Sequence, residues 1–263
     1  MNLSLLRHHL LQNTGAFLLC CSTISCSTSP VTHRIIDGHP FTVCDVVKVN
    51  TSHVEYLQLS ELVDSLEVIR LETNEHSLIK RIQKVSISEH YLGILDSDGP
   101  RVYKLFDKKG RFINQIGDVG NGPLEYFILN DAQVDESEEQ VYLAGFFHVN
   151  ELLVFDFNGR SIESIPLVYT HLDKPKFFIS HDTITCFQMP HGNTSAFVFR
   201  QDMQGHVIDS IPATEQMYAQ NYDEELFVRD VSGAKSLYYT VTDTLFRYNP
   251  HQNFFCNTCL PWG

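Results

Sequence analysis

The sequence predicts an all-β protein, and within that class a β-propeller of four-stranded blades. Three observations carry the prediction. Short runs rich in β-branched and aromatic residues dominate the chain, among them residues 66–72, 82–87, 91–95, 102–106 and 141–144, and polar or glycine-bearing turns bound them. Helical periodicity is confined to residues 56–66, enough for a turn or two. One turn also recurs at near-constant spacing, which marks a stacked array of similar units rather than a sandwich or simple barrel.

That turn has a common frame, D-x-x-G-x-x-I-x-x-I. It runs from Asp107 through Gly110 to Ile113 and Ile116, from Asp156 through Gly159 to Ile162 and Ile165, and from Asp202 through Gly205 to Ile208 and Ile211. The three glycines follow one another at 49 and 46 residues, and one four-stranded blade takes roughly 40–50. The apolar run before each Asp reads as one strand and the run after each Gly as the next. The Asp side chain is expected to take turn amides, and Gly to supply the positive φ that other residues resist. The three-residue spacing of the isoleucines breaks strict alternation, so a bulge or strong twist is expected there. A weaker fourth copy falls at residues 245–249, with Gln252 where the glycine would stand.

From the N-terminus, residues 1–26 read as an export signal. Arg7, His8 and His9 give a weakly positive start, and the apolar stretch at residues 16–21 is too short to span a bilayer. Thr23-Ile24-Ser25-Cys26 is similar to a bacterial lipobox, which would make Cys26 the lipidated first residue of the mature chain; Thr23 replaces the usual leucine, so Cys20 and Cys21 remain alternatives. Residues 27–59 read as a linker and lead-in, residues 60–250 as blades, and residues 251–263 as an atypical tail without blade signals.

The 263 residues allow one or two domains, and 43% hydrophobic and 11% aromatic residues suffice for a sizeable core. A net charge of −13 without a basic cluster argues against nucleic acid and against anionic lipid surfaces. The acidic knot Asp135-Glu136-Ser137-Glu138-Glu139 reads as a solvated hairpin tip.

Motifs that could carry chemistry are weak. Histidines such as His148, His171, His181 and His191 form neither H-x-H nor H-E-x-x-H, so no metal spacing is visible. Asp96-Ser97-Asp98-Gly99 starts like a calcium loop but lacks the later ligands and reads as a turn. Cys44 and Cys186 sit in apolar surroundings as small hydrophobes, and Cys256-Asn257-Thr258-Cys259 lacks the context of a redox or zinc motif. Neither G-x-S-x-G nor S-x-x-K occurs. The glycine-rich residues 117–126 lack the Lys-Ser/Thr of a phosphate loop. They read as an inter-blade loop in which glycines allow tight turns and Glu125 and Tyr126 anchor backbone, or as a loop that contacts a ligand.

These residues together resemble the six-bladed β-propeller lipoproteins of Bacteroidetes, relatives of the NHL-repeat propellers. Residues 66–73 look like that family's first strand, residues 106–113 like its first strong hairpin, and residues 243–246 like a later Asp-Thr-apolar-aromatic strand. Gly117 to Tyr126 resembles its G-x-G-P-x-E-Y segment, with Leu124 where the family usually has glycine. The resemblance spans roughly residues 60–250, room for about four blades, so it implies an incomplete six-bladed ring, a chain shortened at its C-terminus, or closure with fewer blades. It further implies a lipid-anchored binding or scaffolding module of the periplasm or outer membrane, without cofactor or metal, whose partner is a glycan, peptide or protein. Gly120, Gly122, Pro123, Glu125 and Tyr126 are then the loop residues to contact it. A lyase or lactonase with a channel metal, or a non-functional shortened paralogue, are the alternatives.

Overall fold

The structure, a computed structural model, describes residues 31–36, 39–44, 56–191, 194, 196–221, 223–231, 234–241, 244–249 and 254–259. Cys26 and the rest of the leader lie outside the described residues. Two compact units are present. In the first, β1 (Val31–Ile36) and β2 (His39–Cys44) form an antiparallel pair with Ile36 opposite His39. The region expected to be linker therefore contains a hairpin, and the intervening Asp37-Gly38 is the strongest short-range hairpin signal a sequence carries. Leu59–Glu61 makes a single 3-10 turn, in line with the brief helical pattern there.

The second unit holds four sheets, each of four strands hydrogen-bonded in chain order. The first is β3 (Ile82–Ile87), β4 (Tyr91–Asp96), β5 (Val102–Asp107) and β6 (Phe112–Ile116). A short parallel pair follows, β7 (Asp118–Val119) with β8 (Glu125–Tyr126). The second sheet is β9 (Leu129–Asp135), β10 (Gln140–Gly145), β11 (Phe147–Asp156) and β12 (Ile165–Asp173). The third is β13 (Lys176–Ser180), β14 (Thr183–Phe187), β15 (Ala196–Asp202) and β16 (Val207–Pro212), and the fourth is β17 (Leu226–Val231), β18 (Ala234–Tyr239), β19 (Thr244–Asn249) and β20 (Phe254–Cys259).

These sheets are the blades of a β-propeller. Their first strands lie side by side. Lys84 of β3 pairs with Asp131 of β9, and the Gln133 side chain of β9 exchanges two 2.8 Å hydrogen bonds with the Ile179 backbone of β13. Apolar side chains of successive blades fill the spaces between them. Val141, Leu143, Leu153 and Phe155 point to one core with Leu95, Tyr103 and Leu105 of the first blade. Tyr142, Ala144, Leu152 and Val154 point the other way, to Ile179, Ile184, Cys186 and Phe199 of the third. Phe187, Phe197 and Val198 then meet Leu237, Tyr239 and Phe246 of the fourth. Burial on both faces explains why these strands read as continuous apolar runs rather than alternating ones. Among the described residues no helix is long and apolar enough to cross a membrane.

The repeated turn joins the third and fourth strands of a blade. Asp107 Oδ1 accepts the amides of Lys109 and Arg111, and Gly110 closes the turn onto the Asp107 carbonyl with φ +80°. Asp202 Oδ1 accepts the amides of Gln204 and His206, and Gly205 has φ +84°. Asp156 Oδ1 accepts the Arg160 amide, and Gly159 has φ +75°. The expected bulge follows in each copy, at the same place in the first and third. Phe106 faces Phe112 and Leu105 faces Asn114, which leaves Ile113 extra; Gln201 faces Val207 and Arg200 faces Asp209, which leaves Ile208 extra. Between the Phe155–Ser161 bridge and the Leu152–Ile165 pair one extra residue is likewise accommodated. The fourth copy runs in register from Asn249–Phe254 to Thr244–Cys259 without a shift.

Two expectations differ from the structure. Residues 66–73 are not assigned to a strand. Ile69 and Leu71 pack against the Leu92, Ile94 and Phe106 cluster while Leu66 and Val68 stay exposed, so the alternation is real, but the segment's backbone meets its neighbour through the Glu72 amide on the Gly110 carbonyl rather than along a ladder. Conversely, Phe254–Cys259 of the expected tail is the last strand of the fourth blade and carries Cys256 and Cys259. Pairing to β19 sets that strand, and backbone pairing needs no motif.

Candidate functional site

In a four-stranded meander the first–second and third–fourth turns share one end. The second–third turn and the link to the next blade share the other. The repeated turns occupy the first end. At the opposite end of the second blade, residues 117–128 and the β10–β11 turn border an open groove of about 410 Å³.

Its first wall is built by the glycine-rich loop. Gly117 leaves β6 with φ +72°, where a Cβ would meet Leu143 at 2.8 Å and Tyr126 at 2.9 Å. The Glu125 amide bonds the Gly122 carbonyl at 3.2 Å, with Pro123 second and Leu124 third in the turn. Leu124 has φ +65°, which together with the proline is the signature of a type II turn. The Glu125 carboxylate folds back to accept the Gly122 amide at 2.7 Å. A Cβ on Gly120 would lie 1.9 Å from that carboxylate and one on Gly122 2.9 Å from it. The two glycines thus serve mainly to admit Glu125, and the left-handed position falls on a leucine. Gly120 also donates to the Tyr126 carbonyl at 3.0 Å, and Tyr126 is buried in the first inter-blade core. Burial pushes the Tyr126 phenol well above its ordinary range.

The second wall comes from β11. Phe146 and Phe147 meet edge to face at 4.5 Å, and Arg101, whose guanidinium donates to the Leu129 carbonyl at 3.1 Å, sits 5.0 Å over the Phe146 ring. Phe127 remains 70% exposed and Phe147 50% exposed. Val149 and Leu153 add apolar floor, Asn121 and Asn150 add amides, and Glu125 and Glu151 add carboxylates. Val149 is held opposite His171 of β12, which is fully buried with neither ring nitrogen hydrogen-bonded. Burial alone drives its pKa down to about 3.

Of the loop residues singled out from sequence, Glu125 and Tyr126 line the groove, whereas Gly120, Gly122 and Pro123 shape the turn behind it. Phe127, Phe146, Phe147 and Glu151 escaped the sequence reading. Two adjacent phenylalanines directly after Gly145, where a strand should end, were the available signal.

The remaining candidates resolve into structure. Asp135 Oδ1 accepts the Ser137 amide and hydroxyl, and Glu139 has φ +52° at the β9–β10 turn. Asp96 accepts the amides of Lys80, Arg81 and Asp98. Burial raises its carboxyl, but those three amides outweigh it and hold the pKa below the usual range. Cys186 is buried and its thiol pushed far up. Among the described residues, no three or more His, Cys, Asp or Glu side chains are grouped to hold a metal ion.

A family model described as a domain of unknown function, DUF4934, matches residues 41–256. No curated protein matches the chain. Among solved structures, a Bacteroides fragilis protein described as a candidate exported protein aligns with TM-score 0.57 and 19% identity over 74% of this chain and 54% of its own. A Bacteroides vulgatus member of the DUF4221 family gives TM-score 0.49 at 13% identity, over 74% of this chain and 61% of its own. The chain spans about half the length of the Bacteroides fragilis structure, a likeness of fold.

Proposed function

Starting from the fact that this chain belongs to the DUF4934 family, we propose that it is a binding or scaffolding module of the bacterial cell envelope, anchored by lipid at Cys26. On this reading the groove of the second blade takes a glycan, a peptide or a segment of a partner protein. One observation carries it: Phe127, on the inter-blade link, and Phe147, at the start of β11, both stay largely exposed on one groove, beside the buried Tyr126 and Val149. Exposed aromatic clusters on rigid loops are expensive to leave in water and are typical of binding surfaces. The Ile24-Ser25-Cys26 pattern supports the anchor, and the exported description of the Bacteroides fragilis protein supports the compartment.

The test is a binding screen of the full chain and an F127S/F147S variant against glycan and peptide arrays. Ligands held by the wild type and lost by an equally stable variant are expected. Ligands held equally by both would remove the groove from the function. Metabolic labelling with a fatty-acid analogue should mark the native chain and leave Cys26→Ala unmarked; label on both would move the anchor to another cysteine.

A further inference from the structure

The groove's chemistry is more specific than its shape, and resting on the reading above we propose that its occupant is a cationic peptide segment carrying an apolar side chain. The two carboxylates that line it, Glu125 and Glu151, are its charged side chains, and no Lys or Arg is among the lining residues. Arg101, nearby, is already engaged on the Phe146 ring and the Leu129 carbonyl. The whole chain carries a net charge of −13, so an acidic ligand would be repelled on approach and a basic one drawn in.

The floor decides between peptide and sugar. Phe127, Ile128, Phe147, Val149 and Leu153 offer apolar contact; the Tyr126 hydroxyl is buried, which leaves the amides of Asn121 and Asn150 as the side-chain hydrogen-bond donors on the exposed side. A hydroxyl-rich sugar needs more donors than that to replace its water. A peptide alternating apolar and basic residues can seat an apolar side chain on the floor and place its cations over the open phenylalanine faces and beside the two carboxylates. Arg101 over Phe146 shows that geometry within the same aromatic cluster.

The experiment is fluorescence anisotropy on the full chain with three labelled probes: a peptide alternating lysine with phenylalanine, its glutamate counterpart, and a neutral oligosaccharide. The lysine peptide should bind at least about tenfold more tightly than the glutamate one, and that preference should shrink severalfold in Glu151→Lys and at high salt. Phe147→Ala should weaken the lysine peptide without altering its salt dependence. Equal binding of the two peptides, or a preference for glutamate, overturns the cationic partner. Oligosaccharide binding that Phe147→Ala abolishes, with no peptide binding, also overturns it yet leaves the groove as a binding site. Indifference of every probe to Phe147→Ala overturns both readings.

Discussion

The two ends of the blades obey different rules. At one end the same Asp-x-x-Gly turn is made three times, each with the Asp carboxylate on the amide four residues on and a positive φ at Gly, and in the first and third copies with a bulge three residues after that Gly. At the other end each connection is different. Residues 117–128 wrap a carboxylate over two glycines, and the β10–β11 turn exposes phenylalanine. The regular end repeats because a hairpin has one local problem to solve, satisfying its turn amides. The irregular end is free to vary because the blades are already held together by the cores between them.

The largest expected effects test whether the regular end is as uniform as it looks. Alanine at any of the three turn glycines meets the left-handed backbone penalty, but the surroundings differ. A Cβ on Gly110 would lie 2.0 Å from the Arg70 carbonyl oxygen, which is backbone. On Gly159 it meets the movable Asn114 amide at 2.7 Å, and on Gly205 the Pro166 ring at 3.3 Å. Gly110→Ala should therefore cost about 3 kcal/mol, and Gly159→Ala and Gly205→Ala about 1–2 kcal/mol each. Urea denaturation midpoints would show the order. Three equal losses would mean that backbone φ alone sets the cost.

The irregular end hides a second cost, visible as pH dependence. His171 supports Val149 of the groove from a fully buried position and is held neutral down to a pKa of about 3. The unfolded chain binds a proton on that imidazole below about pH 6.5 and the folded chain does not. Stability is therefore lost as pH falls through 6.5, by about 2 kcal/mol between pH 7 and pH 5. Asp173 acts in the opposite sense. Burial, only partly offset by Lys174, raises its carboxyl, so the folded form is protonated first and acid relieves its cost. His171→Leu should flatten the pH 7 to 5 slope in thermal melts. An unchanged slope would mean that the imidazole finds a partner in solution.

How much of this was legible depends on which residues must solve a local problem. The turns were readable because Asp107, Asp156 and Asp202 each cap their own loop, and the bulges because a three-residue isoleucine spacing cannot alternate. β20 was not readable, because Phe254–Cys259 forms through pairing with β19 and its sequence specifies no turn. The groove was half readable. Glu125 and Tyr126 stand in a glycine-rich motif, whereas Phe127 and Phe147 are brought together only when two connections of one blade meet at the same end. The β1–β2 hairpin was readable in principle, since Asp-Gly between β-rich runs is a strong hairpin signal in sequence.

The smallest effect sharpens the contrast most. The third position of the Gly-Pro-x-Glu turn is one that glycine fills without strain, and here Leu124 occupies it at φ +65°. Left-handed backbone costs a branched residue roughly 1–2 kcal/mol, and replacement by glycine returns about 0.5–1 kcal/mol of that to the unfolded chain as entropy. Leu124→Gly should thus stabilise the protein by about 0.5 kcal/mol, a rise of roughly 1–2 °C in Tm by calorimetry. Leu124 is partly exposed beside the groove, so little buried surface is lost in the exchange. If the glycine variant instead melts lower, Leu124 makes contacts worth more than its strain, and the loop is a packed wall. If it melts higher but binds the lysine–phenylalanine peptide less well, the strain is retained because the leucine serves the ligand.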